Sequence, residues 1–257
     1  MRYQELSSPQ IAGLDRNRAV VIIPIAALEQ HGPHMPTGTD NILCTAVAEA
    51  IEKKNREEML LLPTLWQGAS AHHLRFGATV SAELETYIAT LCETAASLLE
   101  DGFQRILFLN GHGGNIDPMR VAIRELQPEY SNALLVAGCY WSIAEDLINE
   151  HLEGDHKFVG HACEFETSLM LHVRPELVDR EKVSNAGELI PDSIDGFFVS
   201  RDMMQRTHEG FTGRPDLATK EKGDALFSGI VEKLTNLIKT LQAQPLGITY
   251  DEFKDLT

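Results

Sequence analysis

The chain lacks any apolar stretch near the ~20 residues that span a bilayer. Its first residues, Met1-Arg2-Tyr3-Gln4-Glu5-Leu6-Ser7-Ser8, hold no apolar core of the signal-peptide kind. Cysteine is scarce: Cys44, Cys92, Cys139 and Cys163 stand singly, without C-x-x-C spacing, in expected helices and a strand. Buried reduced thiols are the reading, and with them a cytoplasmic protein. Basic residues are few. Lys and Arg number 22 against 38 Asp and Glu, and a formal net charge of -16 would repel nucleic acid and anionic membranes alike. Many of the acids fall in helix patterns such as Glu52-Lys53-Lys54 and Glu57-Glu58, and read as solvated faces. Internal repeats and low-complexity tracts are absent. With 257 residues, 43% of them apolar and 23% charged, the chain fits one domain over residues 1–257.

What is present is an alternation of strand and helix signals. Apolar, β-branched runs at about 19–28, 59–65, 105–109 and 133–141 read as buried parallel strands. Pro63 puts the second of them at an edge or a bulge. Helical spacing appears at about 40–51, 81–99, 116–127, 143–152, 161–173 and 218–242. The expected fold is α/β: a three-layer α/β/α sandwich with a mostly parallel sheet. Between about Val183 and Gly213 the periodicity fades, while Asp195-Gly196-Phe197-Phe198 keeps aromatic residues. That stretch reads as an ordered insertion over the site or at a subunit contact.

Two segments carry the chemistry. Glu29-Gln30-His31-Gly32-Pro33-His34-Met35-Pro36-Thr37-Gly38-Thr39-Asp40 follows the first strand, and Asn110-Gly111-His112-Gly113-Gly114-Asn115 follows the third. Loops at the carboxyl ends of such strands are where open α/β sheets place ligands. Glu29 and His31, two apart in an extended segment, point to one face. Asp40 reads either as a metal ligand or as the N-cap of the helix behind it. His34 is expected in a supporting role, and the glycines around His112 in close backbone approach or positive φ. A third cluster is His161-Ala162-Cys163-Glu164-Phe165-Glu166-Thr167-Ser168. If the segment is helical from its start, His161 and Glu164 share a face. If the helix begins only near Cys163, Glu166 can turn inward, so the ligating glutamate stays open. One of His72 and His73 is an expected substrate contact. Polar or helix-end settings leave His151, His156, His172 and His208 structural.

Together these clusters resemble the creatininase family. Its E-x-H-G-x-H-x-P-x-x-T-D block matches Glu29 to Asp40, its N-G-H-G-G-N block residues 110–115, and its H-A-x-x-x-E-T-S block His161 to Ser168. A later G-x-x-G-x-P-x-x-A-T-x-E-K-G block matches Gly210, Gly213, Pro215, Ala218, Thr219, Glu221, Lys222 and Gly223. The resemblance implies a hydrolase with two divalent ions per chain, zinc, manganese or iron. Glu29, Asp40 and His112 would hold one, and His31, Asp40 and Glu166 the other, with Glu164 in reserve. It further implies His161 as the acid/base and a homohexamer, while the pocket wall that meets a small-molecule substrate is read as Ser70, His73, Trp141 and the 183–213 segment. Creatininase carries a glutamate ligand where this chain has Gly114, an aromatic residue where it has Gly113, and often F-P-G-T at Phe76-Gly77-Ala78-Thr79. These departures turn the expected substrate from creatinine to another small polar amide or formamide. Ring opening of an oxidised cyclitol is one alternative, and a non-catalytic oligomer braced by metal is another.

Overall fold

The structure, a computed structural model, describes residues 1–154, 157–187 and 189–254. Its sheet has four strands, β1 (Val20–Ile25), β2 (Met59–Leu61), β3 (Arg105–Asn110) and β4 (Leu134–Cys139), in the order β2-β1-β3-β4 with every pair parallel. Pro63 lies just past the short edge strand β2, as a residue without a ladder donor must. The chain runs outward from β1 to β2 and then returns to β3 on the other side. That reversal opens a crevice between the carboxyl ends of β1 and β3, the usual ligand position in such sheets.

Two apolar layers grip the sheet, because alternate residues of a strand face opposite ways. Val20, Ile22, Leu107 and Leu109 face one core, shared with α2 (Thr39–Lys54), α5 (Glu145–His151), α6 (Glu164–Val173) and α8 (Lys220–Ala243). Val21, Ile23, Ile106 and Phe108 face the other, shared with α1 (Ser8–Ala12), α3 (Leu84–Glu100) and α4 (Ile116–Leu126). The three-layer α/β/α expectation therefore holds. Among the described residues no helix is long and apolar enough to cross a membrane. Helices α6 and α8 approach so closely that a Cβ added at Gly223 would lie 2.0 Å from the Ser168 carbonyl oxygen.

Three expectations need correction. Glu52 is not on a solvated face: it is buried and pairs with the Met1 ammonium at 3.0 Å. Cys92 is only partly buried, whereas Cys44, Cys139 and Cys163 are buried, and all four thiols are free. The helix expected from 161 starts at Glu164, with Cys163 as its N-cap. The 183–213 stretch is described except at residue 188. It carries an exposed hairpin, β5 (Ser193–Ile194) with β6 (Phe197–Phe198), and a one-turn helix, α7 (Met203–Arg206). Of the structural histidines, His172 pairs with Asp224 and His208 is exposed, while His156 lies outside the described residues.

Candidate metal centre

The register pairs Ile25 with Asn110, so the loops after β1 and β3 leave the sheet at one level. Asn110 holds the next loop in shape: its Oδ1 accepts from the His112 amide at 3.0 Å and its Nδ2 donates to the His112 carbonyl at 2.6 Å. Asn115 ties three loops together. Its Nδ2 donates to the Ala26 carbonyl at 3.1 Å, and its Oδ1 accepts from the Ala69 amide at 3.0 Å. The glycines here supply space rather than left-handed backbone, since none of Gly111, Gly113 and Gly114 has a positive φ. A Cβ at Gly111 would stand 2.6 Å from the Cβ of Cys44, and one at Gly114 would stand 2.2 Å from the Ala69 carbonyl.

Into this frame project three carboxylates and a set of imidazoles. Glu29 Oε1 lies 3.3 Å from His112 Nδ1, 3.4 Å from His73 Nε2 and 3.4 Å from His161 Nδ1. Asp40 faces both ways: Oδ1 is 3.1 Å from His31 Nε2, and Oδ2 is 3.0 Å from His112 Nδ1. That second approach misses hydrogen-bond angles, so Asp40 Oδ2, like Glu29 Oε2, is buried without a hydrogen-bond partner. Three donor groups each fall within 4.8 Å: Glu29, His31 and His161; Glu29, His72 and His112; His31, Asp40 and Glu166.

The electrostatics ask for positive charge. Glu29, Asp40 and Glu166 are 1%, 2% and 5% exposed, and none has a lysine or arginine among its described ion pairs. Burial raises the Glu166 carboxyl to about 7, with the Asp40 and Glu29 charges adding and His31 opposing. Burial disfavours a charged His31, yet Asp40, Glu166 and Glu29 hold it at about 9. His112 is likewise driven well up against its burial, by Glu29 and Asp40. Buried anions need paired charge, and here imidazolium protons supply it. Divalent ions suit the same positions, because carboxylate and imidazole are their donors and two carboxylate oxygens stand unbonded.

The structure brings most of the expected residues together and sets a few apart. Asp40 is not the cap of α2: Gly38 is, and Asp40 is the second residue of the helix, in its first turn. His34 braces the third cluster, its Nε2 lying 3.1 Å from the Ala162 carbonyl. His161 precedes α6 in an irregular segment. Its Nε2 donates to the Gln30 carbonyl at 2.7 Å, which turns Nδ1 toward Glu29. Ser70 and His73 are buried against the cluster, Ser70 Oγ lying 3.2 Å from His112 Nε2. Trp141 follows β4, half-buried and packed against both cores with its ring edge-on to Tyr140.

The two glutamates of α6 part ways. Glu166 faces His31 and Asp40 and accepts from the Ala162 amide. Glu164 faces away, accepting from Lys222 Nζ at 2.6 Å and from the Glu153 and Gly154 amides. Glu166→Gln is therefore expected to lower metal occupancy. Glu164→Gln is expected to keep the metal and lose up to roughly 3 kcal/mol of stability, because it weakens a buried ion pair. Metal analysis beside thermal melts separates the two.

Two site residues escaped the sequence reading. Gln30 Nε2 donates to His73 Nδ1 at 2.7 Å and to the Gly210 carbonyl at 2.7 Å, locking the first loop to the insertion. Thr212 Oγ1 accepts from the His161 amide at 2.8 Å. Gln30 lies inside the motif, but only the fold brings residue 212 to it.

Buried carboxylates and imidazoles at the crevice of a parallel sheet define an α/β protein whose donor groups could hold metal ions. A family model described as creatinine amidohydrolase matches residues 4–238, and the chain belongs to the creatininase family. The mycofactocin precursor peptide peptidase of Mycobacterium ulcerans (strain Agy99) is 31% identical over 258 residues, spanning 95% of this chain and 94% of that one. The 3-dehydro-scyllo-inosose hydrolase of Thermotoga maritima is 27% identical over 268 residues, spanning 95% and 85%. A solved mutant creatininase of Zn-Zn type, 25% identical, superposes with a TM-score of 0.78 over 95% of this chain and 98% of that one.

Proposed function

We propose that this protein is a binuclear metal hydrolase that cleaves the amide C–N bond of a small polar substrate, a cyclic amide or a formamide. One observation carries the reading: three buried carboxylates face imidazoles and, among the described residues, pair with no lysine or arginine, and two of their oxygens are unbonded. In this reading Glu29, Asp40 and His112 hold one ion, and His31, Asp40 and Glu166 the other. Bound there, such ions supply a water of lowered pKa and a Lewis acid for a carbonyl oxygen. The chain's own residues do the rest. His161, kept neutral by burial and by the neighbouring His31 and His73, offers Nδ1 at the site for moving a proton to the leaving nitrogen. Gln30 holds both His73 and His161 in one orientation through its side-chain nitrogen and backbone carbonyl. Ser70 and His73, close to the centre, are the nearer candidates for the substrate wall; Trp141 belongs to it only through its place after β4.

Two relatives widen the substrate question. Likeness to the peptide peptidase supports a peptide amide, and likeness to the inosose hydrolase supports a cyclitol ring. The same reading includes a homo-oligomer and, from four free thiols, a cytoplasmic setting. Protein purified without chelator is expected to carry up to two ions of zinc, manganese or iron per chain. Chelation should abolish activity and metal should restore it. Full activity in metal-free protein would overturn the reading. Lactams, formamides, short peptides and keto-cyclitols, assayed side by side, then choose the bond.

A further inference from the structure

We propose that His72 is a protein ligand of the ion that Glu29 and His112 would hold. The inference rests on the binuclear reading and concerns this chain's own donors. One ligand atom from each of Glu29, His72 and His112 lies within 4.8 Å of the other two. The rings of His72 and His112 stack with centroids 5.8 Å apart and planes 18° from parallel, so both present their edges to one region.

The neighbouring side chains are spoken for, and His72 is not. His112 Nε2 lies 3.2 Å from the Ala69 carbonyl, which it reaches as a donor, and this leaves Nδ1 to face Glu29 and Asp40. His73 accepts at Nδ1 from Gln30, so its Nε2 carries the hydrogen that points at Glu29. That hydrogen bars His73 from ligation. His72, on the same 3-10 helix (Ala71–Phe76), makes no hydrogen bond among the described residues and is only half-buried.

Gly114 explains how the helix comes so near. A Cβ there would stand 2.5 Å from His112 Nε2 and 2.9 Å from His72 Cε1. No side chain can enter from position 114, and the space is filled instead by the His72 and His112 rings. The first ion would thus have two imidazoles with Glu29 and Asp40. The second, among His31, Asp40 and Glu166, would have one imidazole. Nitrogen-rich sites favour zinc and cobalt, whereas oxygen-rich ones suit manganese.

The test uses the full chain stripped of metal and titrated with Co2+, followed by visible absorption, and with Zn2+, followed by calorimetry. Wild type is expected to bind two ions. His72→Ala and His72→Asn should each keep one and bind the other at least about 100-fold more weakly, the upper end of what losing a mere supporting partner costs. The d–d bands of the affected Co2+ ion should shift. His208→Ala, at an exposed position, should match wild type. Circular dichroism should show both His72 variants folded, because the residue is partly exposed and outside both apolar cores. Two ions bound with wild-type affinity and an unchanged Co2+ spectrum would overturn the proposal alone. Loss of both ions together would mark His72 as structural and overturn it as well. Wild type that binds fewer than two ions would instead overturn the binuclear reading beneath it.

Discussion

Asp40→Ala is expected to empty the centre of both ions and to lower turnover by on the order of 10⁴-fold, combining loss of oxyanion stabilisation with loss of the activated water. The expectation follows from where the carboxylate stands. Its two oxygens face His31 Nε2 at 3.1 Å and His112 Nδ1 at 3.0 Å, which in the proposed binuclear reading would hold different ions. Glu29 and His31 reach one ion each in this reading. Glu29→Ala and His31→Ala should therefore each release one ion, and neither should fall as far. Metal content by mass spectrometry, taken beside steady-state rates, orders the three variants. An Asp40→Ala protein that keeps one ion at full occupancy would show that the carboxylate serves a single ion.

His161→Ala should lower kcat by roughly 10²–10⁴-fold, the usual contribution of a positioned acid or base. Its metal content and thermal midpoint should stay close to those of wild type. The side chain is 13% exposed, against 2% and 3% for the His73 and His112 imidazoles that also pair with Glu29, and so open to a substrate. Its backbone is held independently of the ring by Thr212, whose hydroxyl accepts the His161 amide. A fall in metal content would reassign the ring as a ligand, a role open to it through the group it forms with Glu29 and His31. Retained turnover would remove it from the chemistry.

The fold was legible because strands buried on both faces read as continuous apolar runs, and β1 and β3 do so at sight. Most of the candidate site was legible for a related reason: its donors sit within a few residues of strand ends. What stayed hidden depends on rotation and on distance along the chain. Whether Glu164 or Glu166 faces the cluster turns on where α6 begins, and helix ends are weakly encoded. Asp40 read equally well as a cap, since both roles need a carboxylate at a helix start. Glu52 resembled any surface acid until the Met1 ammonium came to meet it. Thr212 has no signal of its own, because its partner lies 51 residues away.

The contact at Gly223 sets the angular position of α6. Two residues along a helix turn it by about 200°, enough to point one carboxylate at His31 and the other at Lys222. Backbone touching backbone behind the helix stops it from rolling like a shaft in a bearing. A methyl group at position 223, pressed against the Ser168 carbonyl, would act as a shim, and the Glu166 carboxylate two residues back along α6 would drift off its aim.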